Sequence, residues 1–385
     1  MSGSCRRALL ASALALPTLP LAGWAVARSE PRRMRVSIPL ERLTDFLPIL
    51  RAFTASQPDL FFETLVRDDD NSLAVSEIRE AVQARRPYPD AALADAGSVA
   101  WGTERGAWRR LPASLREAGA ASGGHLAQLM QPLTGEEAML VSPDPGGPVL
   151  LHRASVLPDP PRSAAALLDY ARQNPRRFLY PRPSESALGR QFLMALPHLL
   201  RDSDPSDPQL GWTRSWAWLK EVDSFIDYYP SDDAAAFEEF ATDGIALMPA
   251  SLTAYLRGRK DALLPDEASF ALFEGAPLIP QGVFLVMPRD ATEESLALVE
   301  TFARFLLRPE IQSGAFGRGF LPGFAVNQPA PRTEAERSAW NRILPAEMAA
   351  RVAAAPLAPP LGPQQLALML RRWDEEIAAR HGGRR

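Results

Sequence analysis

Apolar positions along the chain recur with two periods, and these divide it into alternating strands and helices. Met34 to Pro39 is a short apolar run and reads as a first strand. Leu43, Phe46, Leu47, Leu50 and Phe53 then fall at helical spacing, which predicts a helix from Leu40 to Ser56. Gln57-Pro58-Asp59 breaks it, and Leu60 to Val66 reads as a second strand. Asp68-Asp69-Asp70-Asn71 follows directly. Asp70 or Asn71 can cap a helix over Leu73 to Ala84, on which Val75, Ile78 and Val82 line up. Pro87 to Ala94 reads as a third strand, with Ser98 to Trp101 just after it. The small residues from Gly119 to Gly124 read as a surface loop. Ala138 to Val141 and Pro148 to Leu151 read as short strands around Pro143-Asp144-Pro145-Gly146-Gly147.

The most legible stretch runs from Pro160 to Pro183. Ser163 can cap a helix whose apolar face is Ala164, Leu167, Leu168 and Ala171. Asn174-Pro175 ends that helix, because a residue before proline is pushed out of the α region. Phe178-Leu179-Tyr180 reads as a short buried strand and Pro181-Arg182-Pro183 as a stiff loop. A second helix follows, with Leu188, Phe192, Ala195, Leu196 and Leu199 on one face. This order places the loop from Tyr180 to Ser186 at the carboxyl end of a strand, where open α/β sheets bind ligands. Tyr180 and Ser184 are therefore candidate ligand residues. Tyr180 has an apolar body to stack on a ring and a hydroxyl for a polar group; the plainer reading puts its ring in the core.

Asp202 to Gln209 is a polar loop. Trp212 to Ile226 reads as a helix with Trp218, Leu219, Val222, Phe225 and Ile226 on one face. Its aromatic density suggests a stacking box for a cation, with Trp212 as a candidate, although aromatics at this spacing usually build core. Ser231 is expected to cap a helix bearing Phe237 and Phe240. Ile245 to Met248 is a strand, and Pro249-Ala250-Ser251 opens a further helix. The N–H groups at that helix start can hold a polar or anionic group, which makes Ser251 a candidate. Ser269 to Phe273 and Gly282 to Met287 are strands on either side of Pro280-Gln281. Asp290 and Glu293 form a capping-box-like start to a helix ending near Leu307. The last helix, Gln364 to Arg380, has Leu366, Leu370, Trp373 and Ile377 on one face.

Three strings carry a resemblance: PPRSAAALLDYARQNPRRFLYPRP from Pro160, TFARFLLRPEIQ from Thr301, and PYPDAALA from Pro87. They resemble the extracellular solute-binding proteins of bacterial ABC importers, most of all the branch with thiamine-type binding proteins. In the order of its elements the resemblance extends from Arg35 to Gln328. It implies an α/β, two-lobed periplasmic-binding-protein fold, type II-like, with the ligand cleft between lobes joined by crossover strands. Lobe 1 would hold residues 28–145 and 280–322, and lobe 2 residues 146–279 and 323–385. The protein would then capture a small-molecule solute in the periplasm, close by a hinge motion, and pass the solute to a membrane permease and its ATPase. It would work as a monomer and meet the membrane only through the permease. The resemblance places Ser98 in a turn that commonly touches ligand and Gln281 in the return crossing, so both are candidates. The branch and the acidic loop with Asp70 and Asn71 point to a thiamine-like or polyamine-like cation. For Asp70 and Asn71 the plainer reading is a solvated capping loop; a calcium loop would need a glycine that is missing.

Composition narrows the remaining classes. A chain of 385 residues suits two lobes better than one core. Its formal net charge is -4, and lysine occurs only at Lys220 and Lys260; no clustered basic face marks a nucleic-acid partner. Arg6-Arg7, the apolar run from Ala8 to Ala27 and the ending Ala25-Val26-Ala27 form a secretory signal peptide over residues 1–27. Pro17 and Pro20 inside the run favour cleavage over a membrane anchor. The single cysteine, Cys5, lies in that segment, so the mature chain has no thiolate for a metal site or a disulfide. There is no H-E-x-x-H, G-x-S-x-G or G-x-x-x-x-G-K motif, and the four histidines are far apart. The expectation is a binding protein without cofactor, metal or catalytic residues. The alternatives are an exported enzyme such as a glycoside hydrolase, with acid and base carboxylates at a set spacing, and a receptor-coupled binding domain without a transporter.

Overall fold

Two sheets carry the fold in the computed structural model, which describes residues 32–67, 89–130, 136–242, 244–260, 262–308, 310–311 and 334–380. In the first sheet β1 (Arg32–Pro39) lies parallel between β2 (Leu60–Arg67) and β3 (Ala91–Ala94). β8 (Ile279–Val286) runs antiparallel between β3 and β4 (Ala138–Gly147), giving the order β2-β1-β3-β8-β4. The second sheet has β5 (Val149–Arg153) antiparallel between β6 (Leu247–Ala250) and β7 (Ala268–Leu272). The proposed signal peptide, the Asp68 to Asn71 loop and the helix expected after it lie outside the described residues.

Strand alternation sorts the apolar residues into three cores. Met34, Val36, Ile38, Met139, Val141, Val283 and Leu285 point to one side of the first sheet. There they meet α1 (Leu40–Ser56) and α9 (Glu293–Leu306), where Phe53 lies 4.9 Å from Phe302. Ala92, Ala94, Leu140, Phe284 and Val286 point the other way, into a core that also takes Val149, Leu151 and Met248 from the second sheet. The third core covers the opposite face of the second sheet. It joins Leu150 and Leu247 to α4 (Ala164–Gln173), α5 (Ala187–Leu199), α6 (Thr213–Val222) and α12 (Pro363–Glu376), while α10 (Glu334–Ile343) and α11 (Ala346–Ala353) reach the second core through Ile343 and Val352.

Several helix starts follow the local chemistry. Ser163 accepts a hydrogen bond from the Ala166 N–H, and α4 runs to Asn174 as its spacing predicts. The expected cap Ser231 is replaced by Asp232, which accepts from Ala235 N–H at the start of α7 (Asp233–Ala241). Thr292 replaces Asp290 as the cap of α9.

Other segments differ from expectation. Gly119 to Gly124 is no loop but the middle of α3 (Ala113–Met130). A Cβ on Gly119 would sit 2.7 Å from Met139 Cγ and 2.9 Å from the Leu140 carbonyl oxygen, so a small residue lets α3 press on β4. Ser98 to Trp101 is likewise helical, inside α2 (Ala96–Glu104). Pro143 to Gly147 continues β4 and pairs with β8 as far as Gly147 opposite Ile279. Phe178 to Tyr180 forms only a single bridge, Phe178 to Leu247. None of the described helices is long and apolar enough to cross a membrane.

Candidate functional site

β4 stays in the first sheet to its last residue, Gly147, and after Pro148 alone β5 begins in the second. β8 returns beside it, with Asp144 opposite Gln281 and Gly147 opposite Ile279. The register is irregular between Asp144 and Gly147, which bends the connection. The two connectors between the sheets therefore run side by side, and five polar residues gather there. Asp144 comes from β4, Gln191 from α5, Gln281 from β8, and Ser251 and Thr253 from the start of α8 (Leu252–Lys260).

The backbones at this junction touch. Gly146 has φ +72, and a Cβ on it would lie 1.8 Å from the Ile279 carbonyl oxygen. A Cβ on Gly147 would lie 2.6 Å from the Ala250 carbonyl oxygen and 3.0 Å from Gln191 Oε1. Only glycine fits either place.

Asp144 is 7% exposed. Its Oδ1 accepts from the Gly146 N–H at 2.7 Å and from the Thr253 hydroxyl at 2.8 Å. Gln191 is fully buried; its Nε2 donates to the Ile279 carbonyl at 3.4 Å, and its Oε1 has no partner among the described residues. Ser251 Oγ accepts from the Ala254 N–H and caps α8. The junction thus presents oxygen acceptors. Among the described residues no group of three or more His, Cys, Asp or Glu side chains could hold a metal ion.

Of the candidates read from the sequence, Ser251 and Gln281 are brought to this junction. Ser98 sits in the first turn of α2, 1% exposed, its N–H donating to Asp95 Oδ1. Next to it, Gly97 faces Leu366 of α12. Trp101 is half-buried, with the Arg105 guanidinium 3.5 Å above its ring. Ser184 is half-buried in the turn before α5, and its carbonyl accepts from Arg190. Asp70 and Asn71 lie outside the described residues.

Tyr180 and Trp212 are placed elsewhere: both are fully buried in the third core, with no ring face open to a solute. Tyr180 packs 4.9 Å from Tyr229 and 5.2 Å from Phe192, and its hydroxyl accepts from the Trp373 indole N–H. Burial pushes its phenol well above the ordinary tyrosine range. Trp212 stacks on Trp216 at 5.9 Å and donates its indole N–H to the Pro205 carbonyl. The aromatic box of α6 is therefore packing, which answers each indole N–H with a carbonyl.

Sequence reasoning passed over Asp144 and Gln191. Gln191 did carry a signal: it lies three residues after Leu188 and one before Phe192, a polar side chain on the apolar face of α5. Asp144 was hidden inside a stretch that reads as a turn.

A family model described as bacterial extracellular solute-binding protein matches residues 50–337. No curated protein matches the chain by sequence. Among solved structures, the chain is similar to an ABC transporter substrate-binding protein from Bradyrhizobium japonicum. The TM-score is 0.64 at 16% identity, over 90% of this chain and 99% of that one. The spermidine/putrescine ABC transporter substrate-binding protein of Streptococcus pneumoniae gives a TM-score of 0.60 at 12% identity, over 89% and 99%. The cyclic alpha-maltosyl-1,6-maltose binding protein of Arthrobacter globiformis gives 0.61 at 16% identity, over 91% and 94%. These likenesses show a shared fold.

Proposed function

Because the chain belongs to the bacterial extracellular solute-binding protein family, we propose that it is the solute-capturing component of an ABC import system. The family places it outside the cytoplasm. In this reading the protein is exported with cleavage after Ala27 and works in the periplasm as a monomer. Its two lobes are residues 28–145 with 280–322 and residues 146–279 with 323–385. It binds a small solute between them and delivers it to a permease driven by an ATPase.

The observation that carries the reading is the junction itself. Among the described residues two side-by-side connectors join the strands of the two sheets, and glycine lies where they touch. Domain closure of the hinge type needs a few such positions at the ends of elements. The ligand we propose is a thiamine-like or polyamine-like cation. Oxygen acceptors at the junction support a donor-bearing ligand, and one protein of the same fold is described as a spermidine/putrescine ABC transporter substrate-binding protein. Ser251, Gln281 and Ser98 are kept as contacts, with Asp144 and Gln191 added to them.

The test is a binding screen of the mature protein by thermal shift, followed by small-angle scattering with the best hit. A saturable rise in melting temperature is expected, with a smaller radius of gyration when liganded and the solute recovered chemically unchanged. Conversion of the solute would move the protein to the enzymes, and binding without compaction would remove the hinge.

A further inference from the structure

Buried charges in folded proteins are paired, because an isolated one loses its hydration without return. The described residues obey this rule at two places. Arg153, 3% exposed, meets Glu267 at 2.6 Å. Asp223, 5% exposed, accepts from the Tyr229 hydroxyl at 2.7 Å and faces Arg380 at 3.7 Å.

Asp144, at 7% exposed, is nearly as buried as these, yet no Arg, Lys or His among the described residues pairs with it. Its two hydrogen bonds come from neutral donors, the Gly146 N–H and the Thr253 hydroxyl, and both go to Oδ1. Among the described residues no donor reaches Oδ2, an oxygen that stays open to solvent and so to a ligand. Gln191 supplies a second, independent observation. It is fully buried, and its Oε1 has no donor. That oxygen stands 3.0 Å from where a Cβ of Gly147 would be, on the backbone segment whose Gly146 N–H binds Asp144. A carboxylate without a cation and an amide oxygen without a donor thus border the same two glycines.

We propose that Asp144 is the charge-selecting residue of the binding site, and that a protonated amine of the ligand supplies its missing counter-charge with Gln191 Oε1 as second acceptor. This rests on the reading of the chain as a solute-binding protein and names the group of the solute that the junction recognises. Charge-assisted hydrogen bonds of this kind are about twice as strong as neutral ones, so the amine rather than a hydroxyl fills the place. An anionic or neutral solute leaves Asp144 unanswered and is disfavoured.

The experiment is calorimetric titration of the mature protein with putrescine, spermidine, thiamine, maltose and fructose 6-phosphate. Asp144→Asn is the informative variant: its amide oxygen still accepts from Gly146 and Thr253, so the junction is kept while the charge is lost. At least one cation should bind the unaltered protein. Asp144→Asn should weaken that cation by at least about tenfold and leave the unliganded melting temperature in place. Equal affinity for the two proteins overturns the role of Asp144 and leaves the solute-binding reading standing. Binding of maltose or the sugar phosphate alone overturns the proposal, again without touching that reading; binding of none overturns both. Should the variant not fold, 1,4-butanediol replaces it as the control, with hydroxyls where putrescine has ammonium groups. It should bind the unaltered protein at least about tenfold more weakly than putrescine, and equal binding overturns the proposal.

Discussion

Trp373 donates its indole N–H to the hydroxyl of Tyr180 at 3.0 Å, across 193 residues of chain. The pair fastens α12 to the loop before α5. Tyr229 packs against both rings and donates a hydrogen bond from its own hydroxyl to Asp223. The last described segment joins in through Arg380.

Tyr180→Phe keeps the ring and removes the acceptor, so a buried N–H is left unanswered at about 1–3 kcal/mol. Tyr180→Ala also opens a cavity and should cost about 3–5 kcal/mol. Urea unfolding of both variants measures this. Solute affinity should stay within about twofold, because the ring faces no cleft. An alanine variant as stable as the parent would show that the fastening is unimportant.

The same phenols set an alkaline limit. Burial raises Tyr180 and Tyr229 well above the ordinary range. In the unfolded chain tyrosine ionises near pH ~10. Above that pH the unfolded state releases protons that the folded state keeps, so stability falls as pH rises. The contribution is complete below the unfolded value. The urea midpoint should therefore hold steady up to pH ~9 and drop beyond pH ~10, and the double variant Tyr180→Phe, Tyr229→Phe should flatten that drop.

Gly146 and Gly275 separate strain from collision. Both have positive φ, +72 and +76. A Cβ on Gly275 meets nothing within 4 Å, so Gly275→Ala should cost only the backbone term, about 1–2 kcal/mol. At Gly146 the methyl would also drive into the Ile279 carbonyl oxygen. Gly146→Ala should lose about 1–3 kcal/mol more and should weaken solute binding by spreading the connectors. Equal melting temperatures for the two variants would argue against a tight junction.

What the sequence made legible was local. α1 runs from Leu40 to Ser56 as its spacing predicts, because an apolar face and a proline-bearing break lie within one stretch. Ser163 was readable as a cap for the same reason. The misreadings depended on distant partners. Gly119 looks like loop until β4 is laid against it. Pro143 and Pro145 look like turn residues, yet β4 is the edge of its sheet, where a missing N–H is tolerated. Asp144 becomes notable only when Thr253, 109 residues on, supplies its hydroxyl. Tyr180 combined an apolar body with a hydroxyl, which suited a cleft as well as a core, and only Trp373 decided between them.

The place of β8 in the first sheet governs the order in which the chain can be finished. Ala94 pairs with Phe284, and Ala138 with Val286, so the two neighbours of β8 are made long before it. Until it arrives, β3 presents one unpaired edge and β4, whose partner among the described strands is β8 alone, presents two, the kind of surface through which chains aggregate. Closing so long a loop carries an entropic cost ahead of any contact it gains, which slows folding. The whole second sheet lies within that loop and can form first. A chain cut between Leu272 and Ile279 keeps every residue of β1 to β7 and still lacks the strand that makes the first sheet one piece.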